Sequence, residues 1–270
     1  MVPTLEAGSL ARIVAGVAPG GTLQLEELPE FASREFGVRG LSIPAELLSG
    51  RPLREIERLR DAADKAGCPC LLLTEHRPLL IAGGHLAAGV DRLVRLAGAA
   101  SSLGCSCLAV SPIAEAGGDA DSLATGLRSG LLAIERFELN LLVIPSDSGD
   151  LSEVAGVIDL IRRVGGFKIG CMPTFRHALS TRDPEATLRK LAPYAAAIEA
   201  DLDGLGLGRS GEAKVGRVLL KELVEALRAV GYANTLALAS RAENSTSLIG
   251  KTHDFLRELL AAVPEQEGAA

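Results

Sequence analysis

The sequence is poor in aromatic residues: 3% of its 270 positions, with no tryptophan. Aromatic faces are a common grip on sugar rings, so a stacking-dominated carbohydrate pocket is disfavoured. Lysine and arginine never cluster, and the formal charge is −6. A nucleic-acid backbone needs a clustered basic footprint, so nucleic acid is excluded as an expected partner. The opening stretch "MVPTLEAGSLARIVAGVAPGG" has no basic start and carries Glu6 ahead of its apolar run. It does not read as a secretory signal. No uninterrupted apolar run reaches the roughly 18 residues of a membrane span. The expectation is a soluble, cytoplasmic protein without a membrane partner.

Cysteines number five, an odd count that fits reduced thiols better than a disulfide framework. Four of them form two Cys-x-Cys pairs at the starts of expected strands, Cys68/Cys70 in "GCPCLLL" and Cys105/Cys107 in "GCSCLAV". Alternation puts both sulfurs of a pair on one strand face, and adjacent strands could bring the four together. Structural zinc sites, however, favour wider spacing on loops, and small thiols filling a tight core are the plainer reading.

What is abundant is apolar: 47% hydrophobic residues against 23% charged, enough for one large domain core. The mean hydropathy of +0.25 hints at surface covered in a homo-oligomer. Short apolar runs alternate with amphipathic segments. "ARIVAGVA" reads as a first strand, followed by a helix over "LQLEELPEFASREF", then "VRGLSI" and "PLREIERLRDAADKAG", and so on to a last helix, "STSLIGKTHDFLRELLAAV". Eight strands and eight helices in strict alternation predict a parallel sheet closed into a (β/α)8 TIM barrel. We read residues 1–270 as a single domain, the barrel over about 10–262 and the tail "PEQEGAA" frayed.

In such a barrel the carboxyl ends of the strands carry the chemistry. The third strand ends in Thr74, Glu75, His76 and Arg77, the fifth in Pro145, Ser146 and Asp147, and the sixth in Thr174, Arg176 and His177. The seventh carries Glu199, Asp201 and Asp203, and the eighth ends near Arg241 and Glu243. Glu75, His177 and Asp201 are the candidate acid–base residues, because carboxylates and imidazoles at a rim can move protons. His76, Asp147, Arg176, Arg209 and Arg241 are the candidate substrate contacts. Glu75, His76, Asp147, His177 and Asp201 would make a nitrogen–oxygen metal site only if they converged. The loop "GLGLGRSG", with Arg209 and Ser210, is placed where many barrels bind phosphate, although it lacks a Walker lysine.

Several segments carry a family likeness. "LQLEELPEFASREFGVRGLSI", "LRDAADKAGCPCLLLTEH", "LAIERFELNLLVIPSD", "IGCMPTFRHA" and "LKELVEALRAVGYANTLALAS" resemble successive pieces of the xylose isomerase-like barrels. That is the sugar phosphate isomerase/epimerase superfamily, which also holds the endonuclease IV type of repair enzyme. The resemblance implies a divalent metal, such as manganese or zinc, held by carboxylates and a histidine on the later strands. In this chain the strand-five glutamate of that set falls at Pro145, the strand-six aspartate at Thr174, the strand-seven histidine at Glu199 or Asp201, and the strand-eight glutamate at Ala239. Proline and alanine supply no ligand, and threonine is a poor one for a hard cation. No metal ligand is therefore assigned and no cofactor expected, unless the site has been relocated. The expectation is a divergent member that binds a small molecule, sugar or phosphorylated sugar, or a protein. The alternative is an isomerase or epimerase with a relocated or metal-independent rim site. A repair endonuclease is excluded by the acidic charge and the missing ligands.

Overall fold

The computed structural model describes residues 1–114, 119–146, 149–207, 213–243 and 245–261. Eight strands run β1 Val2–Glu6, β2 Leu41–Pro44, β3 Cys70–Leu80, β4 Cys107–Ile113, β5 Asn140–Val143, β6 Ile169–Cys171, β7 Ala197–Asp201 and β8 Thr235–Ala239. Among the described residues the helices are α1 Leu28–Phe36, α2 Leu53–Lys65, α3 Leu86–Ser102, α4 Ala120–Ile134, α5 Val154–Val164, α6 Phe175–Ser180, α7 Pro184–Leu191, α8 Ala213–Ala229 and α9 Ser245–Ala261. All strand pairs are parallel, in the order β6-β5-β4-β3-β2-β1-β8-β7. Bridges Cys171–Ala195 and Thr174–Glu199 join β6 to β7 and close the barrel.

The first strand is not where the apolar run suggested. "VPTLE" is β1, whereas residues 11–17 form turns after it. Gly16 and Gly20 take left-handed backbone there (φ 76° and 80°), which a strand cannot contain. Val14 is still fully buried, so the apolar run covers the core as a loop. Glycine ends the first helix: α1 stops at Gly37, whose φ of 69° makes the left-handed stop that a side chain would resist.

Helices clad the outside and side chains fill the inside, so both faces of each strand are largely apolar. Leu5, Ile43, Leu73, Leu108, Val143 and Ile198 belong to the core under the helices. A second cluster, Leu72, Ala109, Leu142, Ile144, Met172 and Ala197, has the opposite phase and fills the interior. The registers order that interior into rings. Glu6 pairs with Ser42, Ile43 with Leu73 and Thr74 with Ala109. Val110 pairs with Val143, Thr174 with Glu199, and Leu238 with Leu5. Rising one residue per strand, as this kind of barrel does, the walk closes on Glu6. The upper ring is therefore Glu6, Thr74, Ile144 and Glu199. Beneath it lie Ser42, Ala109, Met172 and Ala237, and lowest Thr4, Leu72, Leu142 and Ala197. Above it the next inward positions are His76, Thr174, Asp201 and Ala239, followed by Arg241.

Candidate functional site at the barrel mouth

The interior is thus apolar on the β4–β6 side and charged on the β7–β8–β1–β3 side. Glu6, at the end of β1, is fully buried. Arg241 Nη1 and Nη2 donate to its two oxygens at 2.9 and 3.1 Å. The Gly8 amide and the Ser9 hydroxyl complete the carboxylate at 3.2 Å each. Gly8 is glycine for a visible reason: a Cβ there would overlap Arg241 Nη1 and lie 2.7 Å from Glu6 Oε1. Burial pushes the Glu6 carboxyl above its ordinary range; Arg241 opposes that shift, and Glu199 adds to it. Arg241 is half exposed, with Glu46 at 3.9 Å on its outer side.

Across from this pair, His76 Nε2 lies 3.5 Å from Glu199 Oε2, the histidine side chain 38% exposed and the glutamate 12%. Burial works against a charge on His76, but Glu199 and then Glu6 outweigh it, and its pKa is raised. Asp201 accepts from the amides of Asp203 and Gly204 at 3.1 and 3.2 Å, which shapes the turn after β7. Burial, helped by the Asp203 and Glu199 charges, raises its pKa as well. Asp203 holds the next loop, accepting from Ser240 Oγ at 2.7 Å and the Arg241 amide at 2.6 Å.

Of the residues expected at the rim, His76 and Arg241 face the carboxylates of Glu199 and Glu6 here, and Asp201 stands two residues beyond Glu199 on β7. Glu75 does not, because it shares the phase of Leu73 and faces α3. It lies 2.8 Å from Arg92 Nη2 and accepts from the Arg77 amide at 2.9 Å. Burial opposes its charge, but these partners hold its carboxyl below the usual range. His177 sits in α6 and is fully buried. Its Nε2 faces the Ser152 carbonyl at 2.9 Å, which can only accept, so that nitrogen carries the proton. Arg176 is exposed on α6, and Glu243 faces Arg12 at 3.9 Å on the surface. Asp147 and Arg209 lie outside the described residues. Glu6 and the role of Glu199 went unanticipated; the inward alternation of Thr4 and Glu6 before a glycine was the available signal.

The implied divalent metal does not fit this donor set. The inward positions at the ends of β5 to β8 include Ile144, Thr174, Glu199, Asp201 and Ala239, and their two carboxylates both come from β7, where Asp201 already accepts from two turn amides. Pro145 takes the other phase. Thr174 is already spent as the cap of α6, accepting from the His177 amide at 3.0 Å. Among the described residues no group of three or more His, Cys, Asp or Glu could hold a metal ion. The Cys-x-Cys pairs follow the same rule: Cys68, Cys70 and Cys105 are buried core residues, and burial pushes Cys68 to about 11 and Cys70 to about 12. A cavity of about 610 Å³ lies beside the mouth, between the loops after β4 and β5. It is lined by Leu123, Leu160 and carboxylates such as Asp150 and Glu153, with no basic side chain among the described lining residues, so the mouth itself holds the richer chemistry.

No protein-family model matches the chain. No curated protein matches it in sequence. Solved structures do match in fold. A D-psicose 3-epimerase from Clostridium cellulolyticum H10 aligns with a TM-score of 0.77 at 12% identity, over 97% of this chain and 100% of that one. The probable 3-DHS dehydratase AsbF of Bacillus anthracis aligns at 0.74 and 13% identity, over 95% and 99%. A fusion of a xylose isomerase-like TIM barrel with 4-hydroxyphenylpyruvate dioxygenase aligns at 0.71 and 18% identity, over 96% of this chain and 42% of that one. With eight parallel strands, a closed β6–β7 seam and end-to-end alignment with these barrels, the chain has the xylose isomerase-like TIM-barrel fold.

Proposed function

We propose that this chain is a divergent xylose isomerase-like barrel that binds a small, hydroxyl-rich molecule at its mouth and has given up metal-dependent isomerisation. The observation that carries the reading is the set of inward residues Ile144, Thr174, Glu199, Asp201 and Ala239, where a divalent ion would need several hard oxygen donors from different strands and only β7 offers carboxylates. Structural neighbours named as psicose and ribulose epimerases support a ligand of sugar size. The whole chain works as one barrel domain in this reading. Phosphorylated sugars fit less well, because the described carboxylates Glu46, Glu199, Asp201 and Asp203 outnumber the cations around them.

The test is deuterium exchange in D2O, followed by proton NMR, on a panel of ketoses and aldoses with and without manganese, alongside ligand-detected binding. The expected result is binding without exchange at the carbon next to the carbonyl in either condition. Manganese-dependent exchange would overturn the reading. A second reading, metal-independent isomerase or epimerase, is favoured by one observation: His76–Glu199 stands opposite Arg241, a proton-transfer pair facing a fixed cation. Manganese-independent exchange lost in His76→Asn would select it.

A further inference from the structure

Two large apolar side chains stand open to solvent on one side of the barrel. Phe167 is 90% exposed and Leu132 74%. Phe167 lies in the turn between α5 and β6, where Gly165 and Gly166 take positive φ of 74° and 85°. That turn comes easily only to glycine, and it carries the ring outward instead of under the helices. Leu132 lies one turn beyond Arg128 on α4, and Arg128 donates to the Arg163 and Val164 carbonyls at the end of α5. α4 and α5 each follow a strand that ends at the mouth, so both run from mouth to base. Phe167 and Leu132 therefore share the base of the α4–α5 face.

That end of the face is basic. Arg162 donates to the neutral Tyr194 hydroxyl at 3.2 Å, and neither it nor Lys168 has a carboxylate partner among the described residues. At the mouth end the sign reverses. The cavity of about 610 Å³ lies there, with Ile113, Leu123 and Leu160 on its apolar side and the exposed carboxylates Asp119, Asp150 and Glu153 around them. Asp150 and Glu153 have no cation partner among the described residues. One face thus carries an aromatic ring among cations at its base and an apolar hollow among carboxylates at its mouth end. A two-fold axis perpendicular to the helices, passing between the two ends, sets the base of one copy on the mouth end of the other and satisfies both at once.

We propose that the chain forms a two-fold homodimer through its α4–α5 face, with Phe167 of each copy seated in the partner's cavity. Arg162 and Lys168 then face the carboxylates around that cavity, and every contact is made twice. An aromatic anchor in a desolvated pocket is where interface energy concentrates. The opposed charges around it fix the orientation and speed the encounter. The two-fold closes on itself, so the assembly stops at two copies.

The experiment is sedimentation velocity on the full chain across the micromolar range, at low and at high salt. The parent is expected to be a dimer that salt weakens several-fold. Phe167→Asp should raise the dissociation constant at least about thirtyfold. It should leave the melting temperature of the dilute protein unchanged, because the ring is almost wholly exposed in the single chain. Leu132→Asp tests the same end of the face if the first variant does not fold. Glu153→Lys and Lys168→Glu should each weaken the dimer, and the two together should recover most of the loss, since the axis brings each against the other. A parent that stays monomeric at the highest concentration overturns the proposal, as does a dimer indifferent to Phe167→Asp. A ladder of higher oligomers in place of a dimer overturns the two-fold arrangement.

Discussion

Arg241→Gln puts the Glu6–Arg241 pair to its most direct test. The substitution removes the cation and the bidentate geometry while Glu6 stays fully buried. Two of the carboxylate's four hydrogen bonds remain, from Gly8 and Ser9. Breaking a buried pair typically costs about 3–5 kcal/mol, and the half-exposed guanidinium argues for the lower end, so we expect a loss of about 3 kcal/mol at neutral pH. For a chain of this size that lowers the melting temperature by roughly 6–12 °C. The pH dependence has a definite sign. Glu6 has a folded pKa above its unfolded value, so its contribution is fully present below the unfolded pKa and is lost as pH rises through the folded one. Removing Arg241 raises the folded pKa further and widens that window upwards. The variant should therefore lie close to the parent in acid and fall away from it as pH rises. Urea unfolding between pH 4 and 8 measures both curves, and the double variant Glu6→Gln with Arg241→Gln should recover much of the loss at neutral pH. A deficit under about 0.5 kcal/mol at neutral pH, as for an ordinary surface ion pair, would refute the reasoning, as would a deficit independent of pH.

Gly8→Ala should act like a milder Arg241→Gln, because its Cβ drives Nη1 off Glu6; a melting temperature unchanged within a degree would show that the pair tolerates displacement. Glu75→Gln should cost about 1–3 kcal/mol through its bond to Arg92 yet leave ligand affinity alone, since Glu75 faces α3 rather than the mouth. The parent's Glu75 contribution runs opposite to that of Glu6: its folded pKa is lowered, so stability is present above the unfolded pKa and lost as pH falls through the folded one. Native protein at pH 8 should react slowly with a thiol reagent, because burial lifts Cys70 and Cys171 to about 12, and all five thiols should titrate at once in denaturant; fast native labelling at Cys70 would count against its buried place.

The barrel was legible because strands such as "LNLLVI" and "TLALA" are short apolar runs set between helices that stop at glycine. β1 was not, because "VPTLE" contains a proline and ends in a charge, while the more strand-like "ARIVAGVA" is diverted into turns by Gly16 and Gly20. The site failed to read out for a different reason. In a barrel both faces of a strand are buried, so alternation shows that Thr74 and His76 share a face but not that it is the inner one. That one-residue ambiguity sent Glu75 to the rim, whereas Glu6 was hidden because the first strand was read at "ARIVAGVA", after it. His177 misled because a polar residue just after a strand reads as rim, whereas α6 begins at once and turns its ring onto Ser152.

The seam between β1 and β8 has a consequence for how the molecule is made. Glu6 and Arg241 are separated by 235 residues, and Ser9 and Ser240 by 231. Every other neighbouring pair in the sheet is joined through a single intervening segment, so it can form as the chain emerges from the ribosome. The last gap waits until β8 has been translated. Through that interval β1 keeps an open edge, with its backbone donors unpaired and Glu6 without its cation. The latch that completes the mouth is thus the last strand pairing of the barrel to become possible, and a nascent chain stalled before residue 241 carries the β1 edge exposed.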